Sequence, residues 1–332
     1  MLLTIIIPVY NVQDYLKKCI DSLFIQDLNT NEYEVIAVND GSTDNSLNTL
    51  KKIQENYNSL KIITQNNQGL SVARNTGMKH ATGDYLLFVD ADDYILENSL
   101  RKTLIIAQQN QLDILEFAAS GVTEEGREVY VSQNSSNGKV MTGEQYLSNI
   151  KYMSSACNKL YNRVFLNNHE FRFMPNVYIE DIEFNTRVVF KASRIQATDK
   201  IVAHFLQRDG SITRTKNLAK TKKMIYDIHK VLTSINTFNE SVITPNSTLY
   251  IPVKKTTCSL ITTMLLRVLK DIDDYTIKRD IFDMLKKQEL YPLPYKTGDQ
   301  LKDKFRVLVN QNILFSIICK FYCFKNKLYG SA

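Results

Sequence analysis

The stretch GDYLLFVDADD, from Gly83 to Asp93, decides the fold of this 332-residue chain. Its apolar run, Tyr85 to Val89, is short and is typical of a strand buried on both faces of a parallel sheet. Three carboxylates follow at the carboxyl end of that strand: Asp90, Asp92 and Asp93. Ligands of open α/β sheets bind at this edge, and such close carboxylates repel one another unless a cation or hydrogen-bond donors neutralise them. The pattern predicts a site for Mg²⁺ or Mn²⁺, and a solvated turn with a helix cap is the alternative.

Strands and helices alternate four times up to this motif. Apolar strands are predicted at 4–9, 34–39, 60–64 and 85–89, separated by segments with helical spacing. This alternation predicts a doubly wound, mostly parallel sheet with right-handed crossovers. No GxGxxG or GxxxxGK pattern follows the first strand, so phosphate must be held in another way.

A further acid, Asp40, stands at the end of the second predicted strand. It is followed by Gly41, Ser42 and Thr43, and either hydroxyl residue can cap the next helix. Asp40 therefore has two interpretations from sequence, a ligand-binding carboxylate or the anchor of an Asx turn or helix cap.

Four sequence blocks in this order resemble family 2 glycosyltransferases, inverting enzymes of the GT-A fold that use nucleotide sugars. They are PVYN at 8–11, VNDGSTD at 38–44, QGLSVARNTG at 68–77 and GDYLLFVDADD at 83–93, the last containing a DXD motif. Similarity at 178–181 and 204–214 extends the resemblance to about two thirds of the chain. It implies a GT-A domain at 1–214, with a nucleotide-binding half at 1–95 and an acceptor-side half at 96–214, and a helical domain at 215–332.

The resemblance implies roles for the nucleotide-side residues. Pro8, Tyr10 and Asp40 would surround a uracil base, with Asp40 accepting the N3 proton in a charge-assisted hydrogen bond. Arg74 would help to position the nucleotide, and an exposed helix cation is its alternative. Asp90 would hold the ribose.

Asp92 would hold the metal. A nucleoside diphosphate leaving group gains charge as the glycosidic bond breaks, and a metal that bridges both phosphates stabilises that charge. The resemblance also implies His204 as a metal ligand, and imidazole suits Mn²⁺ better than Mg²⁺. A core histidine is the alternative, because His204 lies in an apolar stretch, 200–206, that is predicted to be a strand.

Glu180 and Asp181 precede a predicted helix, where acids often serve only to compensate the helix dipole. By the resemblance, Asp181 is instead the general base that removes the proton of the acceptor hydroxyl. Glu180 and Asp93 would lie near the donor or acceptor sugar. Arg208 and Arg214, in a glycine-centred loop, would close over the diphosphate as a lid, unless this loop is an ordinary surface turn.

The chain from Leu218 onward is predicted to be helical, with segments at 221–238, 249–269, 276–288 and 299–312. The apolar repeat between Leu260 and Leu269 predicts a packing face rather than a cofactor site. The tail, 313–330, is apolar and flanked by cations, as in helices that lie on anionic lipid. A buried closing helix or a dimer contact, and hence a homo-oligomer, is the alternative.

Composition narrows the class of protein. The net charge is +6, and residues 302–332 hold six Lys or Arg and one Asp, so the rest of the chain is nearly neutral and nucleic-acid binding is not expected. Five cysteines without zinc-site spacing predict free thiols in a reducing compartment. Leu2 to Val9 is too short for a signal peptide, and no apolar run is long enough to cross a bilayer. A cytoplasmic protein, in peripheral contact with the inner face of the plasma membrane if the tail binds lipid, is expected.

These observations together predict a metal-dependent inverting glycosyltransferase. It would move a hexose or N-acetylhexosamine from a UDP-sugar to the hydroxyl of a glycan or lipid-linked acceptor in bacterial cell-surface polysaccharide synthesis. The alternatives are a GT-A-like nucleotidyltransferase, which releases pyrophosphate, and a catalytically silent subunit that binds nucleotide sugars.

Overall fold

The computed structural model describes residues 1–150, 153–208, 218–243, 250–272 and 274–329. It divides into two compact units. The first comprises Met1–Asn176 and Glu180–Ser211, and the second comprises Val177–Ile179 and Ile212–Ala332. The sequence placed the segment 177–179 in the first domain.

The first four strands of unit 1 form a parallel sheet. They are β1 (Leu3–Val9), β2 (Tyr33–Asp40), β3 (Leu60–Gln65) and β4 (Tyr85–Phe88), in the order β3-β2-β1-β4. Helices α1 (Leu16–Phe24), α2 (Ser46–Gln54) and α3 (Leu70–His80) connect them. Every residue of β1 and β2 is buried, as expected for near-continuous apolar runs in a covered sheet. This half has the predicted α/β topology.

The remaining elements of unit 1 extend the same sheet. In chain order they are β5 (Tyr94–Ile95), α4 (Leu100–Gln109), β6 (Ile114–Val122), β7 (Glu128–Ser132), α5 (Gly143–Asn149), β8 (Lys159–Asn162), α6 (Arg163–Asn168), α7 (Glu180–Lys191) and β9 (Ile195–Leu206). The strand order continues β4-β8-β6-β9-β5, and β7 pairs with β6. Because β8 runs antiparallel to both β4 and β6, the sheet is mixed beyond β4 rather than parallel throughout.

The start of α2 differs from the sequence prediction. Neither Ser42 nor Thr43 caps the helix, which begins at Ser46. Instead, the Asn11 side chain accepts a hydrogen bond from the Thr43 amide at 2.8 Å, and Ser46 Oγ accepts one from the Val12 amide at 3.0 Å. The polar residues after β2 therefore connect the loops that follow β1 and β2.

Aromatic packing fixes α7 against β4. Phe184 of α7 stacks on Phe173 with ring centroids 3.9 Å apart, and Phe88 of β4 meets the edge of Phe173 at 5.1 Å. All three side chains are buried. This contact holds the first turn of α7, which carries Glu180 and Asp181, near the end of β4, which is followed by Asp90.

Unit 2 is helical, as predicted. Its helices are α8 (Leu218–Val242), α9 (Tyr250–Asp271), α10 (Tyr275–Lys287), α11 (Gln300–Val309) and α12 (Asn312–Tyr329). The apolar repeat on α9 is a packing face, since Ile261, Leu265 and Val268 are buried in the core of this unit. Within the described ranges, no helix is long and apolar enough to cross a membrane. All five cysteines are buried and free, in agreement with the sequence.

Helix α12 has two apolar faces. Phe315, Cys319 and Cys323 are buried at four-residue spacing. A second face with the same spacing is exposed and consists of Ile313, Ile317 and Phe321, which are 81%, 57% and 61% exposed. The tail therefore closes the core of unit 2 with one face and leaves an apolar stripe on the other.

Candidate active site

Arg74 lies at the centre of the candidate site. Its guanidinium is 1% exposed and donates to three carboxylates: Nη2 to Asp90 Oδ1 at 2.8 Å, Nη1 to Glu180 Oε1 at 2.8 Å and Nη1 to Asp181 Oδ1 at 2.6 Å. Side chains 16 and more than 100 residues away in sequence are thus held by one cation. Arg74 is a buried ion-pair centre, in contrast to the exposed helix cation that was its alternative.

The neighbours of Arg74 in α3 fix its position. The Asn75 side chain makes two hydrogen bonds of 2.9 Å with the backbone of Phe173: its Nδ2 donates to the carbonyl, and its Oδ1 accepts from the amide. A Cβ on Gly77 would lie 2.3 Å from Ile6 Cγ2, so only glycine allows α3 to pack this closely on β1. The sequence ARNTG thus places three residues with different tasks within four positions of one helix: the cation Arg74, Asn75, which binds the backbone of Phe173, and the close-packing Gly77.

Asp181 and Glu180 occupy the first turn of α7. Asp181 accepts a second hydrogen bond at Oδ2, from the Ala156 amide at 3.0 Å, and remains 22% exposed at its side chain. Burial and the charge of Asp181 raise the pKa of Glu180 to about 7, against the lowering effect of Arg74. A proton on Glu180 near neutral pH reduces the negative charge that one guanidinium must balance.

The three acids after β4 have different surroundings. Asp90 contacts Arg74 and is 38% exposed at its side chain. Asp93 is tied to the end of β9 by the Leu206 amide, which donates to Oδ1 at 2.8 Å. Burial, Asp90 and Asp92 raise the pKa of Asp93 well above its usual value. Asp93 therefore organises the turn after β4 and links it to β9.

Asp92 faces a cation. Arg208 Nε donates to Asp92 Oδ2 at 2.7 Å, and the Arg208 guanidinium also lies over the Tyr15 ring, 4.6 Å from its centroid. Burial and Asp90 raise the pKa of Asp92, while the hydrogen bond from Arg208 opposes that shift. The carboxylate is thus matched to positive charge, and a single carboxylate fits Mg²⁺ or Mn²⁺ that takes its other ligands from water and phosphate. Arg214, the other predicted lid residue, lies outside the described residues.

His204 lies opposite Tyr94, two residues after Asp92, in the pairing of β9 with β5. Its Nδ1 lies 2.6 Å from Ser120 Oγ, its ring packs against Tyr94, and the charges that act on it are those of Glu128 and Lys18. Burial lowers its pKa. In the parts of the chain that the structure describes, no group of three or more His, Cys, Asp or Glu side chains could hold a metal ion. The role of His204 as a metal ligand stays a prediction.

Asp40 is buried and anchors the loop before α3. Its Oδ1 accepts from Gln65 Nε2 at 2.7 Å and from the Gln68 amide at 2.9 Å, and its Oδ2 accepts from the Gly69 amide at 2.8 Å. These partners lie 25 to 29 residues further along the chain, so the bonds are neither an Asx turn nor a cap of α2, the local roles that the sequence left as alternatives. A carboxylate has about four acceptor positions, so Asp40 retains capacity for one further donor.

Pro8 and Tyr10, two further residues predicted to contact the nucleotide, lie at the end of β1. Pro8 is buried within the strand, whereas Tyr10, just after it, is 47% exposed. An exposed ring at the carboxyl end of a central parallel strand is available to a ligand.

The sequence did not indicate the residues near the second oxygen of Asp181, the one that Arg74 does not contact. Ala156 supplies the amide, and the next residue, Cys157, lies 3.7 Å from Arg74 Nη2 through its sulfur. A buried pair, Lys159 and Glu116, lies beside them with Nζ and Oε2 3.3 Å apart. A lysine directly before Leu160 and Tyr161, in a short segment with strand character, was the signal that could have revealed it.

Comparison with known proteins shows which family the chain belongs to. Over 237 residues the chain is 31% identical to the glycosyltransferase YibD of Escherichia coli, covering 69% of this chain and 68% of that protein. It is 30% identical over 214 residues to the poly(ribitol-phosphate) beta-glucosyltransferase of Bacillus spizizenii, covering 63% of this chain but 33% of that protein.

The fold is also found in a solved structure, residues 1–349 of S. aureus TarS in complex with UDP-GlcNAc. The TM-score is 0.65 at 21% identity, and the match covers 99% of this chain and 92% of that chain. This likeness confirms the GT-A fold. The family model "Glycosyl transferase family 2" matches residues 4–169, and the chain therefore belongs to glycosyl transferase family 2.

Proposed function

We propose that this protein transfers a hexose or N-acetylhexosamine from a UDP-sugar to an acceptor hydroxyl, with inversion at the anomeric carbon. The observation that carries the proposal is the Arg74 cluster. It joins Asp90, at the nucleotide-binding edge of the parallel strands, to Asp181, an acid from a later segment, through contacts of 2.8 and 2.6 Å. A transferase of this type needs a nucleotide-side acid and a separate base in one site.

On the nucleotide side, we assign the base to the exposed Tyr10 ring and the remaining acceptor position of Asp40. Asp90 accepts from the ribose. These residues follow neighbouring strands β1, β2 and β4, whose carboxyl ends share one edge of the sheet. The TarS complex, which contains UDP-GlcNAc, supports the choice of a UDP-sugar as donor.

On the acceptor side, we assign Asp181 as the general base. Inversion requires the acceptor oxygen to attack the face opposite the departing UDP, so a base must take that oxygen's proton as the bond forms. The hydrogen bonds from Arg74 and the Ala156 amide keep the Asp181 carboxylate oriented and stabilise its charge. Each carboxylate oxygen has a second acceptor position, which is available to the incoming hydroxyl.

Asp92 is the residue proposed to hold Mn²⁺ or Mg²⁺. A bound divalent cation would neutralise charge on the leaving diphosphate. Arg208 is paired with Asp92 in this structure. We propose that it exchanges this carboxylate for the anionic diphosphate when the donor binds, and so closes over the phosphates. His204 remains an untested prediction as a second ligand.

The proposed acceptor is a glycan or lipid-linked glycan of the bacterial cell surface, and the proposed location is the cytoplasm. The poly(ribitol-phosphate) glycosyltransferases among the relatives support this class of acceptor. We further propose that the exposed stripe of α12 (Ile313, Ile317, Phe321) lies on anionic lipid. Five lysines in residues 302–332 would complement such a surface, because each basic residue near it gains about 1 kcal/mol, whereas Arg306 is buried and bonded to the Leu293 carbonyl.

A donor screen tests the proposed activity. Thermal unfolding would be measured with nucleotides and nucleotide sugars, with and without Mn²⁺, because a ligand that binds the folded state stabilises it by mass action. We expect stabilisation by UDP and UDP-sugars and, with metal, release of UDP from the matching donor. Release of pyrophosphate would indicate a nucleotidyltransferase instead. Donor binding without hydrolysis or transfer would indicate a silent binding subunit.

A further inference from the structure

The buried lysine of β8 has an unusual set of partners. Lys159 is fully buried, and its Nζ donates to the carbonyl oxygens of Met153 at 2.5 Å and Ser155 at 2.9 Å, and to Asn158 Oδ1 at 2.8 Å. Glu116 Oε2 lies 3.3 Å from the same nitrogen. The Lys159 ammonium group thus donates two of its hydrogen bonds to main-chain carbonyls of residues 153–155.

The paired carboxylate holds the same stretch. Glu116 Oε1 accepts from the Met153 amide at 3.2 Å and from Asn134 Nδ2 at 2.7 Å. Both polar groups of the Met153 backbone are therefore bonded to one buried ion pair. We call residues 153–157 the clamp segment.

The other contacts of the clamp segment lead to the proposed base. The Ala156 amide donates to Asp181 Oδ2 at 3.0 Å. The Ser154 carbonyl accepts from Asn185 Nδ2 at 2.7 Å, and Asn185 lies one helical turn after Asp181 in α7. The clamp segment thus connects the Lys159–Glu116 pair to the first turn of α7.

Stability alone does not account for this pair. Removing a lysine and a glutamate from water is costly, and burial lowers the pKa of Lys159 even though Glu116 opposes the shift. Apolar residues of similar volume often replace buried ion pairs without loss of stability. What apolar residues cannot do is hydrogen-bond two carbonyls and an amide of the clamp segment.

We propose that Lys159 and Glu116 are positioning residues for Asp181. They fix the clamp segment so that the Ala156 amide meets one carboxylate oxygen, which leaves the other acceptor positions of Asp181 aimed at the acceptor hydroxyl. This inference rests on the proposed function, because it assumes that Asp181 is the base.

The test uses three variants of the full chain: Lys159→Met, Glu116→Gln and the double variant Lys159→Met/Glu116→Leu. Glu34→Gln is the matched control, because Glu34 is also a buried carboxylate paired with a lysine, Lys61, at 2.6 Å, and belongs to the same unit. Measured are kcat, the donor KM, UDP affinity, thermal unfolding and hydrogen exchange at the Ala156 amide.

We expect Lys159→Met to lower kcat by about 10- to 100-fold with donor KM and UDP affinity changed by no more than about twofold, and to speed exchange at Ala156. The double variant should regain thermal stability without regaining kcat. Glu34→Gln should change stability while the kcat of the folded enzyme stays unchanged. Recovery of kcat together with stability in the double variant, or an Ala156 amide that stays protected in Lys159→Met, would overturn the proposal.

The exchange measurement separates this inference from the proposed function. It requires no turnover, so loss of protection at Ala156 supports the positioning role and retained protection refutes it, whatever the donor. A wild-type protein that transferred no sugar would refute the proposed function instead.

Discussion

Replacing Asp181 by asparagine tests the proposed base most directly. The variant removes the proton-accepting charge with little change in volume. General base catalysis contributes about 10²- to 10⁴-fold, so turnover should fall by that factor, which corresponds to about 3 to 5 kcal/mol in the activation barrier. UDP-sugar affinity should remain near that of the wild type, because the residues assigned to the nucleotide are unchanged.

The structure adds a cost in stability. Both oxygens of Asp181 accept from donors, Arg74 Nη1 and the Ala156 amide. An asparagine has one carbonyl oxygen, so it satisfies one donor and turns its NH₂ toward the other. One mismatched buried donor costs roughly 1 to 3 kcal/mol, which lowers the unfolding temperature by several degrees for a domain of this size.

The assay is steady-state transfer at saturating donor, performed well below the unfolding temperature of the variant, together with UDP titration. Glu183→Gln is the matched control, because Glu183 is buried on the same helix and accepts from Arg187 at 2.7 Å. It should lose stability but keep most of its turnover. If Asp181→Asn retains most of the transferase rate while the fold is intact, Asp181 is not the base, and Glu180 becomes the next candidate.

Three further predictions concern the metal, the charge cluster and the tail. Mn²⁺ should tighten UDP binding to the wild type but not to Asp92→Ala, and equal affinities for the wild type with metal, the wild type in EDTA and the variant would contradict the metal assignment. Because the pKa of Glu180 is raised from 4.5 to about 7, its contribution to stability is fully present below pH 4.5 and is lost as the pH rises through 7. The free energy of unfolding in urea, measured for Glu180→Gln and for the wild type, should therefore shift in favour of the variant by roughly 1 to 3 kcal/mol as the pH rises from 5 to 8. A difference between the two proteins that stays constant over this range would argue against the raised pKa. The wild type should sediment with anionic vesicles at low salt, and the double variant Ile317→Gln/Phe321→Gln should not, with unit 2 still folded. A wild-type protein that self-associates and does not bind vesicles would identify the stripe as a contact between copies.

Local sequence determined the elements of the parallel half and the sites at their ends. The apolar runs at 4–9, 34–39 and 85–89 are readable because a strand buried on both faces needs no partner information to be recognised. The capping box of α5 was equally local: Thr142 Oγ accepts from the Gln145 amide at 3.3 Å, and the Gln145 side chain accepts from the Thr142 amide at 3.0 Å. Asp90 and Asp92 were recognised as candidates from their place at the end of a buried strand, whereas Asp181 was recognised only through the family resemblance, because acids at a helix N-terminus often serve only to compensate the helix dipole.

Tertiary structure decided what those residues contact. The direction of β8, which makes the sheet mixed, depends on pairing with β4 and β6 across large separations in sequence. The three carboxylates around Arg74, and the contact of His204 with Ser120, likewise depend on which strands and strand ends lie side by side. Lys159 shows the reason most clearly. The sequence shows a charged residue in a short strand, but only the folded backbone brings two carbonyls and Glu116 within reach of its nitrogen. Hydrogen bonds and ion pairs act over a few ångströms, and local sequence does not determine which distant groups come that close.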